Sequence, residues 1–450
     1  MQNNLIIPID LYQGSKGKNL DFEAICFYAA TGFFGENDTF WTDRKWNHLN
    51  FDQQPWEYKP REITLEKAVD EFAELFHNIV KDQVGNSKVI LPLSGGLDSR
   101  SLAVAMKNLG LIPYTYSYQF KGSFNETKYG RLIAETYGWD YKDFEIQPGY
   151  LWDTIEESAR TNGCYSEFTH ARQVAVADEL SKKGDVWLLG HWGDVLFDDM
   201  HVDENLSHED QIEILYTKIL KKGGLELATD LWKSWNLKGN FEEYLKSMLY
   251  SMLSKIDIKN INSRIRAFKS LYWATRWTST NLHHFGKFKP MALPYYDDRM
   301  CRFIMSLPEE LLAGRQIQIE YIKKYAPELA EIEWQEKSPK NLMNFKEETK
   351  VRDFVFKVKR KLKHFGKEHL LNQKLIQRNW EIQFLGPNND VQLKNWLFEN
   401  EEFLKIIDRD LIHKYYELFE TKNQVYWSHP LSMLLTLSLF SLNNQLQTKD

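Results

Sequence analysis

The chain has 450 residues, 43% of them hydrophobic, and carries a net charge of −6 at pH 7. This acidic balance gives no case for nucleic-acid binding, and three cysteines are too few for a disulfide framework or a four-cysteine zinc site. The longest apolar stretch, around 431–442, is too short to span a bilayer, and no signal peptide is recognisable. We therefore predict a soluble cytoplasmic protein with about two or three structural units.

Residues 1–60 are rich in aromatic side chains and turn signals, and we predict an irregular segment too small to be an independent domain. Residues 61–83 instead place Leu65, Val69 and Phe72 on one face of a helix. That helix leads into the apolar run Val89–Leu93, which is typical of a strand buried on both faces of a parallel sheet.

The stretch after this strand, SGGLDS at 94–99, predicts a tight turn followed by a helix that ends near Gly110. Strand, glycine-rich turn and helix point several backbone N–H groups and a helix dipole at one spot, where an anion such as phosphate binds. A turn that merely joins the strand to the helix is the less favoured interpretation.

The side chains of this turn suit a phosphate chain. Gly95 and Gly96 lack the Cβ atoms that would keep a phosphate from the backbone, and Ser94 and Ser99 offer hydroxyl donors. Asp98 can hold a hard cation such as Mg²⁺ beside the phosphates. The segment lacks the lysine of the G-x-x-x-x-G-K-[ST] loop, so it predicts a different kind of nucleotide site.

Strands and helices continue to alternate along the next hundred residues. We predict strands at 114–120, 141–146 and 186–189, and helices at 126–137 and 169–183. Repeated units of this length indicate a parallel sheet with helices on both faces, in which ligands bind at the carboxyl ends of the strands. The loops after Leu93, Phe120 and Leu189 should therefore lie at one edge.

From about residue 205 the pattern is helical to the end of the chain. Within it, 350–367 combines many basic residues with an apolar stripe. Such a helix binds an anionic membrane surface or a partner protein, or packs its stripe on the core and leaves the basic face in solvent. We favour the last interpretation.

Four segments occur in a characteristic order: SGGLDS at 94–99, LGHWGDVLF at 189–197, PYYD at 294–297 and WQEK at 334–337. The first resembles the pyrophosphate-binding SGGxDS loop of the ATP pyrophosphatases, and the set resembles the synthetase domain of the asparagine synthetase family. The resemblance implies an α/β fold: a parallel-sheet ATP pyrophosphatase domain, adenine nucleotide alpha hydrolase-like, with a helical C-terminal part.

The same resemblance divides the chain into three parts. Residues 1–60 resemble the tail of the family's glutaminase domain and its linker, 61–345 the ATP pyrophosphatase domain, and 346–450 a helical extension packed on it. We expect the glutaminase domain itself to be missing. The nitrogen would then come from ammonia or an amine and not from glutamine.

The resemblance implies an ATP-dependent amide ligase that releases AMP and pyrophosphate. Backbone N–H groups of 94–99 would hold the pyrophosphate, and Asp98 and Asp194 would hold Mg²⁺. Lys337, or failing that Lys340, would neutralise charge in the transition state. Four residues at the strand ends would contact adenine and ribose: Leu93, Phe120, Leu189 and Gly190. In the alternative without a catalytic role, Asp194 is a helix N-cap and Lys337 is an ordinary surface lysine.

The second segment departs from the family pattern GEGxDE, because both glutamates are replaced. His191 takes the place of the first one, and a neutral imidazole there can accept a proton from an attacking amine. A packing role for His191 is an equal alternative. The departure argues against plain asparagine synthesis and for a relative similar to β-lactam synthetases and lasso-peptide cyclases, acting on a small-molecule or peptide carboxylate.

Several further residues are weaker candidates for the substrate site. Arg100 is expected to reach phosphate or pair with an acid, and Asp297 to hold a turn. Two sets complete the candidates: the aromatic side chains Trp192, Tyr295, Tyr296 and Trp334, which suggest an apolar substrate, and the polar residues Glu167, His170 and Arg172.

Two other functions compete with the ligase. The loss of both loop glutamates keeps open a catalytically degenerate ATP-binding module that serves a partner protein or regulates one. A tRNA-thiolating enzyme is disfavoured, because Cys164 and Cys301 are far from C-x-x-C spacing and an acidic chain offers tRNA little to hold.

Overall fold

The computed structural model describes residues 17, 19–46, 56–123, 125–169, 172–198, 200–346 and 376–446. The basic segment 350–367 and His170 lie outside the described residues, so the expectations for them stay predictions. The α/β class, with a parallel sheet and a helical C-terminal part, is confirmed.

The sheet has five parallel strands in the order β3-β2-β1-β4-β5. Their bounds are β1 Val89–Pro92, β2 Tyr114–Phe120, β3 Tyr141–Ile146, β4 Val186–Leu188 and β5 Met291–Ala292. The chain runs outward from β1 to β3 and then returns to the other side of β1 to form β4. The order therefore reverses between β1 and β4, and a crevice opens beyond the carboxyl ends of strands at such a reversal.

Helices connect the strands and make up most of the other residues that the structure describes. The amino-terminal and sheet region has α1 Phe22–Thr31, α2 Leu65–Val84, α3 Leu97–Asn108, α4 Thr127–Tyr137, α5 Tyr150–Asn162, α6 Val174–Ser181 and α7 Gly193–Leu196. The middle has α8 His208–Ile219, α9 Gly224–Ser234, α10 Phe241–Ser254, α11 Ile261–Phe268, a π-helix Lys269–Thr278 and α12 Ser279–Gly286.

The last third continues with short and long helices. These are a 3₁₀ turn Pro294–Tyr296, α13 Asp298–Met305, α14 Glu309–Leu312, a 3₁₀ turn Ala313–Arg315, α15 Gln316–Tyr325, α16 Pro327–Ala330, a 3₁₀ turn Gln335–Lys337, α17 Asn379–Phe384, α18 Pro387–Phe398, α19 Glu401–Leu404, α20 Arg409–Thr421 and α21 Gln424–Leu446.

The four strands predicted from apolar runs are confirmed, whereas β5 was not predicted because two residues carry no periodic signal. The prediction of an irregular segment over 1–60 is wrong for 22–31, which form the buried helix α1. Asp21 caps this helix by accepting a hydrogen bond from the backbone N–H of Ala24 at 3.1 Å. The helix expected at 169–183 is shorter, because α6 begins at Val174.

One continuous hydrophobic core joins the sheet, α1 and the carboxy-terminal helix α21. Tyr28 of α1 is fully buried and donates a hydrogen bond to the carbonyl of Cys164 at 2.8 Å. Phe40, which follows α1, stacks on Phe440 of α21 with ring centroids 3.8 Å apart. Helices α1 and α21 thus pack in the same hydrophobic core as the sheet. Among the described helices, none is long and apolar enough to cross a membrane.

Candidate active site

The loops that follow β1 and β4 lie side by side, because these two strands are paired in the sheet. Two glycines of the second loop allow a very close approach to Asp98. A Cβ atom on Gly190 would lie 3.1 Å from the Cβ of Asp98, and one on Gly193 would lie 2.2 Å from its Oδ1. The segments SGGLDS and GHWGD therefore form the two walls of one crevice at the carboxyl edge of the sheet.

The SGGLDS loop presents an open helix N-terminus. The N-cap of α3 is Gly96, and no side chain caps the first-turn N–H groups. The hydroxyls of Ser94 and Ser99 lie 2.9 Å apart and hydrogen-bond to each other, and the N–H of Gly96 donates to Ser94 Oγ at 3.3 Å. Uncapped N–H groups at the start of a helix are suited to an anion such as phosphate.

Asp98 accepts hydrogen bonds from two residues that the sequence analysis did not identify as candidates. Its Oδ1 accepts hydrogen bonds from Arg315 Nη2 and from Gln318 Nε2, the latter at 2.9 Å. Burial raises the pKa of Asp98 to about 6, while the charge of Arg315 opposes this shift and the charge of Asp194 adds to it. Asp194 follows Gly193, which lies against the Asp98 carboxylate, so the two acidic residues are on loops in contact with each other.

The two carboxylates fit a magnesium ion. Within the described ranges, Asp98 Oδ2 and both oxygens of Asp194 have no hydrogen-bond or ion-pair partner, and Asp194 is exposed. Asp194 is in the first turn of α7, whose N-cap is Trp192, so the N-cap alternative for Asp194 is wrong. No group of three or more His, Cys, Asp or Glu among the described residues could hold a metal ion. Two carboxylates suit Mg²⁺, which binds few protein ligands together with substrate phosphates.

His191 of the GHWGD loop lies against helix α12, with its ring centroid 6.3 Å from that of Phe285. Burial lowers its pKa to about 4; the charge of Asp194 opposes that shift and Arg172 adds to it. Its Nδ1 is buried without a hydrogen-bond partner among the described residues. The imidazole is therefore neutral at neutral pH, and its buried Nδ1 has no partner among the described residues, although burial makes the ring a weak base.

The segment that carries Lys337 packs directly on the SGGLDS loop. The backbone N–H of Gln335 donates to the carbonyl of Gly95 at 3.4 Å, and a Cβ on Gly95 would lie 2.5 Å from the Cβ of Gln335. Lys337 itself is half-exposed, and its Nζ lies 3.3 Å from Glu336. The N–H of Lys340 donates to the Lys337 carbonyl at 3.0 Å, which closes the turn. The Lys337 segment is thus beside the loop, with its ammonium at the surface.

Arg100 corrects an expectation of the sequence analysis. Its side chain is fully buried and, among the described residues, donates neither to an acid nor toward the N–H groups predicted to bind phosphate. Its guanidinium instead donates to four backbone carbonyls, those of Gly95, Leu329, Ile332 and Glu333, at 3.0–3.3 Å. Burial lowers its pKa to about 10, far above neutral pH, so it stays charged. Arg100 therefore joins the loop to the stretch before Lys337.

The aromatic candidates also belong to the core. Trp192, Tyr295, Tyr296 and Trp334 are 8% exposed or less. Trp192 stacks on Tyr296 at 6.0 Å and donates from its indole to Ser270 Oγ at 3.1 Å. In this arrangement they do not form an open apolar wall, so the expectation of an apolar substrate loses its support.

Two of the weaker polar candidates have structural partners. Glu167 is 2% exposed and accepts hydrogen bonds from the Thr169 N–H at 2.8 Å and Ser432 Oγ at 2.7 Å. Asp297 caps α13 and pairs with Arg299 at 2.9 Å, so its predicted structural role is supported. Arg172 is exposed and lies over the Tyr118 ring at 5.9 Å.

The four residues predicted to contact adenine and ribose lie at the ends of their strands. Leu93 extends β1, since its N–H donates to the Tyr116 carbonyl at 2.8 Å, and Leu189 extends β4 by donating to Ala292 at 3.0 Å. Leu93, Phe120 and Leu189 are buried, and Gly190 is partly exposed. Their contact with a nucleotide stays a prediction.

Comparisons with known proteins agree with the motif order. The asparagine synthase profile matches residues 71–404, more than two thirds of the chain. Among solved structures, an NMN synthetase from Francisella tularensis is similar over 42% of this chain and 94% of its own, with 11% identity and a TM-score of 0.24. A search of curated sequences gives no significant match. Because the profile covers all five strands and both walls of the crevice, the chain belongs to the asparagine synthase family, which comprises ATP-utilising amide ligases.

Proposed function

We propose that this protein is an ATP-dependent, AMP-forming amide ligase that adenylates a substrate carboxylate and transfers the acyl group to ammonia or an amine, without hydrolysing glutamine. The observation that carries the proposal is the meeting of three elements in one crevice: the uncapped N-terminus of α3, the carboxylates of Asp98 and Asp194, and the Lys337 segment on Gly95. Each of these handles phosphate charge, which adenylation has to redistribute.

The first step would place the pyrophosphate of ATP on the backbone N–H groups of the SGGLDS loop. Ser94 and Ser99, whose hydroxyls bond to each other, would turn toward the phosphate oxygens. Asp98 Oδ2 and Asp194 would hold Mg²⁺, which neutralises phosphate charge when it is bound. Lys337 would move from Glu336 toward the α-phosphate as the substrate carboxylate attacks and pyrophosphate leaves. The half-exposed side chain leaves it free to do so.

The second step is attack by ammonia or an amine on the activated carbonyl. His191 would orient the amine by accepting one of its hydrogens at a ring nitrogen, because its depressed pKa keeps the imidazole neutral at working pH. A base this weak contributes more by orientation than by complete proton removal. His191→Ala should then slow amide formation more than adenylate formation. An equal loss of both half-reactions would remove His191 from the mechanism.

The test is product analysis with Mg-ATP and a small-molecule extract of the source cells, which separates AMP plus pyrophosphate from ADP plus phosphate. Asp98→Ala serves as the inactive variant, and Asp178→Ala, which removes an exposed carboxylate paired with Lys182 at 2.8 Å, as the matched control. AMP that disappears with Asp98→Ala but persists with Asp178→Ala supports adenylation. ADP as the product would refute it.

A degenerate ATP-binding module is the second candidate. Two observations favour it: Asp98 is already paired with Arg315, and His191 is a weak base. This alternative predicts that the protein binds Mg-ATP yet forms no AMP with any extract fraction or peptide pool. Nucleotide binding measured in parallel with product analysis separates the two functions.

A further inference from the structure

Arg315 lies outside all four sequence motifs and yet reaches the crevice. It is the N-cap of α15 and has a left-handed backbone, with φ 59° and ψ 32°. This conformation is uncommon for a residue other than glycine, asparagine or aspartate, and such residues concentrate at ligand sites. Its side chain is only 12% exposed, so the unusual backbone delivers a guanidinium into a nearly enclosed position.

The guanidinium of Arg315 is oriented from two sides. Its Nη2 donates to Asp98 Oδ1, and its Nε donates to Gln318 Oε1 at 2.8 Å. Gln318 is fixed in turn, because its Nε2 donates to Asp98 Oδ1 at 2.9 Å and to Tyr295 Oη at 3.0 Å. Nη1 of Arg315 has no hydrogen-bond partner among the residues that the structure describes. A fixed arginine with one free nitrogen is a preorganised donor to an anion.

The charges around the crevice require such a donor. Asp98 and Asp194 place two negative charges beside the N-terminus of α3, where phosphates would bind. Arg100 is committed to four backbone carbonyls, and Lys337 is paired with Glu336 at the surface. Among the described residues, Arg315 is a cation that contacts the SGGLDS loop directly, through Asp98.

We propose that Arg315 is a pyrophosphate-binding residue: held by Asp98 and Gln318, it presents Nη1 and its charge to the terminal phosphates of ATP and to the pyrophosphate product. This role rests on the proposed function, since it concerns the same crevice. It adds a residue from the start of α15 to a site otherwise formed by the loops after β1 and β4 and by the Lys337 segment.

The test is calorimetric titration of inorganic pyrophosphate, with and without Mg²⁺, and of AMP as a second probe. Arg315→Met should weaken pyrophosphate binding about tenfold to a hundredfold, the range for losing a hydrogen bond to a charged group. Arg315→Lys should lose less, since it keeps the charge. Arg61→Met, which removes an arginine paired with Glu71 at the surface, is the matched control.

Because AMP lacks the two terminal phosphates of ATP, its binding distinguishes loss of a pyrophosphate contact from a general disturbance of the site. The proposal expects AMP affinity within about twofold of wild type in Arg315→Met, and it is overturned if AMP and pyrophosphate weaken equally or if pyrophosphate binding does not change. If Arg315→Met does not fold, Arg315→Gln replaces it, because glutamine has an N–H donor for Asp98 but lacks the positive charge and the Nη1 donor. Wild type that binds neither ATP nor pyrophosphate refutes the proposed function as well, whereas binding insensitive to Arg315 refutes this inference alone.

Discussion

Replacing Arg100 with Met tests whether one buried guanidinium holds the Lys337 segment on the SGGLDS loop. Arg100 follows the motif directly and is fully buried. It donates at 3.3 Å to Gly95 in the loop and at 3.0–3.1 Å to Leu329, Ile332 and Glu333, which precede Lys337. The methionine side chain fills part of the same volume and donates no hydrogen bond.

The expected loss of stability follows from these four bonds. A hydrogen bond from a charged donor contributes about 1.5–3 kcal/mol to stability. The sum over the four bonds is an upper bound, and the net loss of stability is smaller. Part is offset because the variant no longer buries a charge that has no carboxylate partner among the described residues. We therefore expect the free energy of unfolding to fall by about 3–5 kcal/mol, as when a buried charged contact is broken.

Urea unfolding followed by tryptophan fluorescence measures this change, and hydrogen exchange over 329–341 locates it. Arg409→Met is the matched control, since Arg409 also donates to a carbonyl, that of Phe398 at 2.9 Å, but its side chain is 55% exposed. The control should lose less than about 1 kcal/mol. Arg100→Met with stability within about 1 kcal/mol of wild type, and unchanged exchange in 329–341, would refute the reasoning.

Two further predictions concern charge. Lys337→Met should lower the rate of AMP formation about a hundredfold or more, the range for losing a transition-state contact. It should change the free energy of unfolding by no more than about 0.5 kcal/mol, because the side chain is half-exposed. Initial rates and thermal melts measure the two effects, with Lys346→Met as control, and unchanged rates would assign the role to Lys340 instead. His284 is 3% exposed, and burial, with a smaller contribution from His283, lowers its pKa from 6.5 to about 4. The neutral His284 ring therefore contributes to the free energy of unfolding fully above pH 6.5, and this contribution is lost as the pH falls toward 4. His284→Phe should remove up to about 3 kcal/mol of the fall in the free energy of unfolding between these pH values. The control His413→Phe, which changes an exposed histidine, should keep that fall. Parallel pH dependences of unfolding in His284→Phe and wild type would contradict this.

The sheet and the crevice could be predicted because their signals are local. Apolar runs indicate four strands, and the glycine-rich turn after Leu93 indicates the loop that we propose to bind phosphate. Because the carboxyl ends of parallel strands lie at one edge of a sheet, the loop with Asp194 could be placed beside the SGGLDS loop without knowledge of side-chain packing. The strand Met291–Ala292 gave no such signal, because two residues are too few to show a period.

Burial was the property that the sequence could not supply. Arg100 and Trp192 look like ligand contacts when read beside their motifs, but both are enclosed by partners from distant parts of the chain, at Leu329 and Ser270. The basicity of His191 depends in the same way on how completely the ring is covered. A residue type next to a motif predicts what chemistry a side chain can perform, and its solvent access decides whether it performs it.

The division between predicted and unpredicted residues follows the physics of the phosphate site. The donors that hold a phosphate are backbone N–H groups of one turn, so they are contiguous and appear as a motif. The charged side chains around the site need to be close in space but not in sequence. Arg315 meets Asp98 across 217 residues of sequence, and Gln318 across 220. Motifs can therefore predict an anion-binding loop in a chain of this kind, whereas a cation such as Arg315, which we propose completes the site, has to be found in the structure.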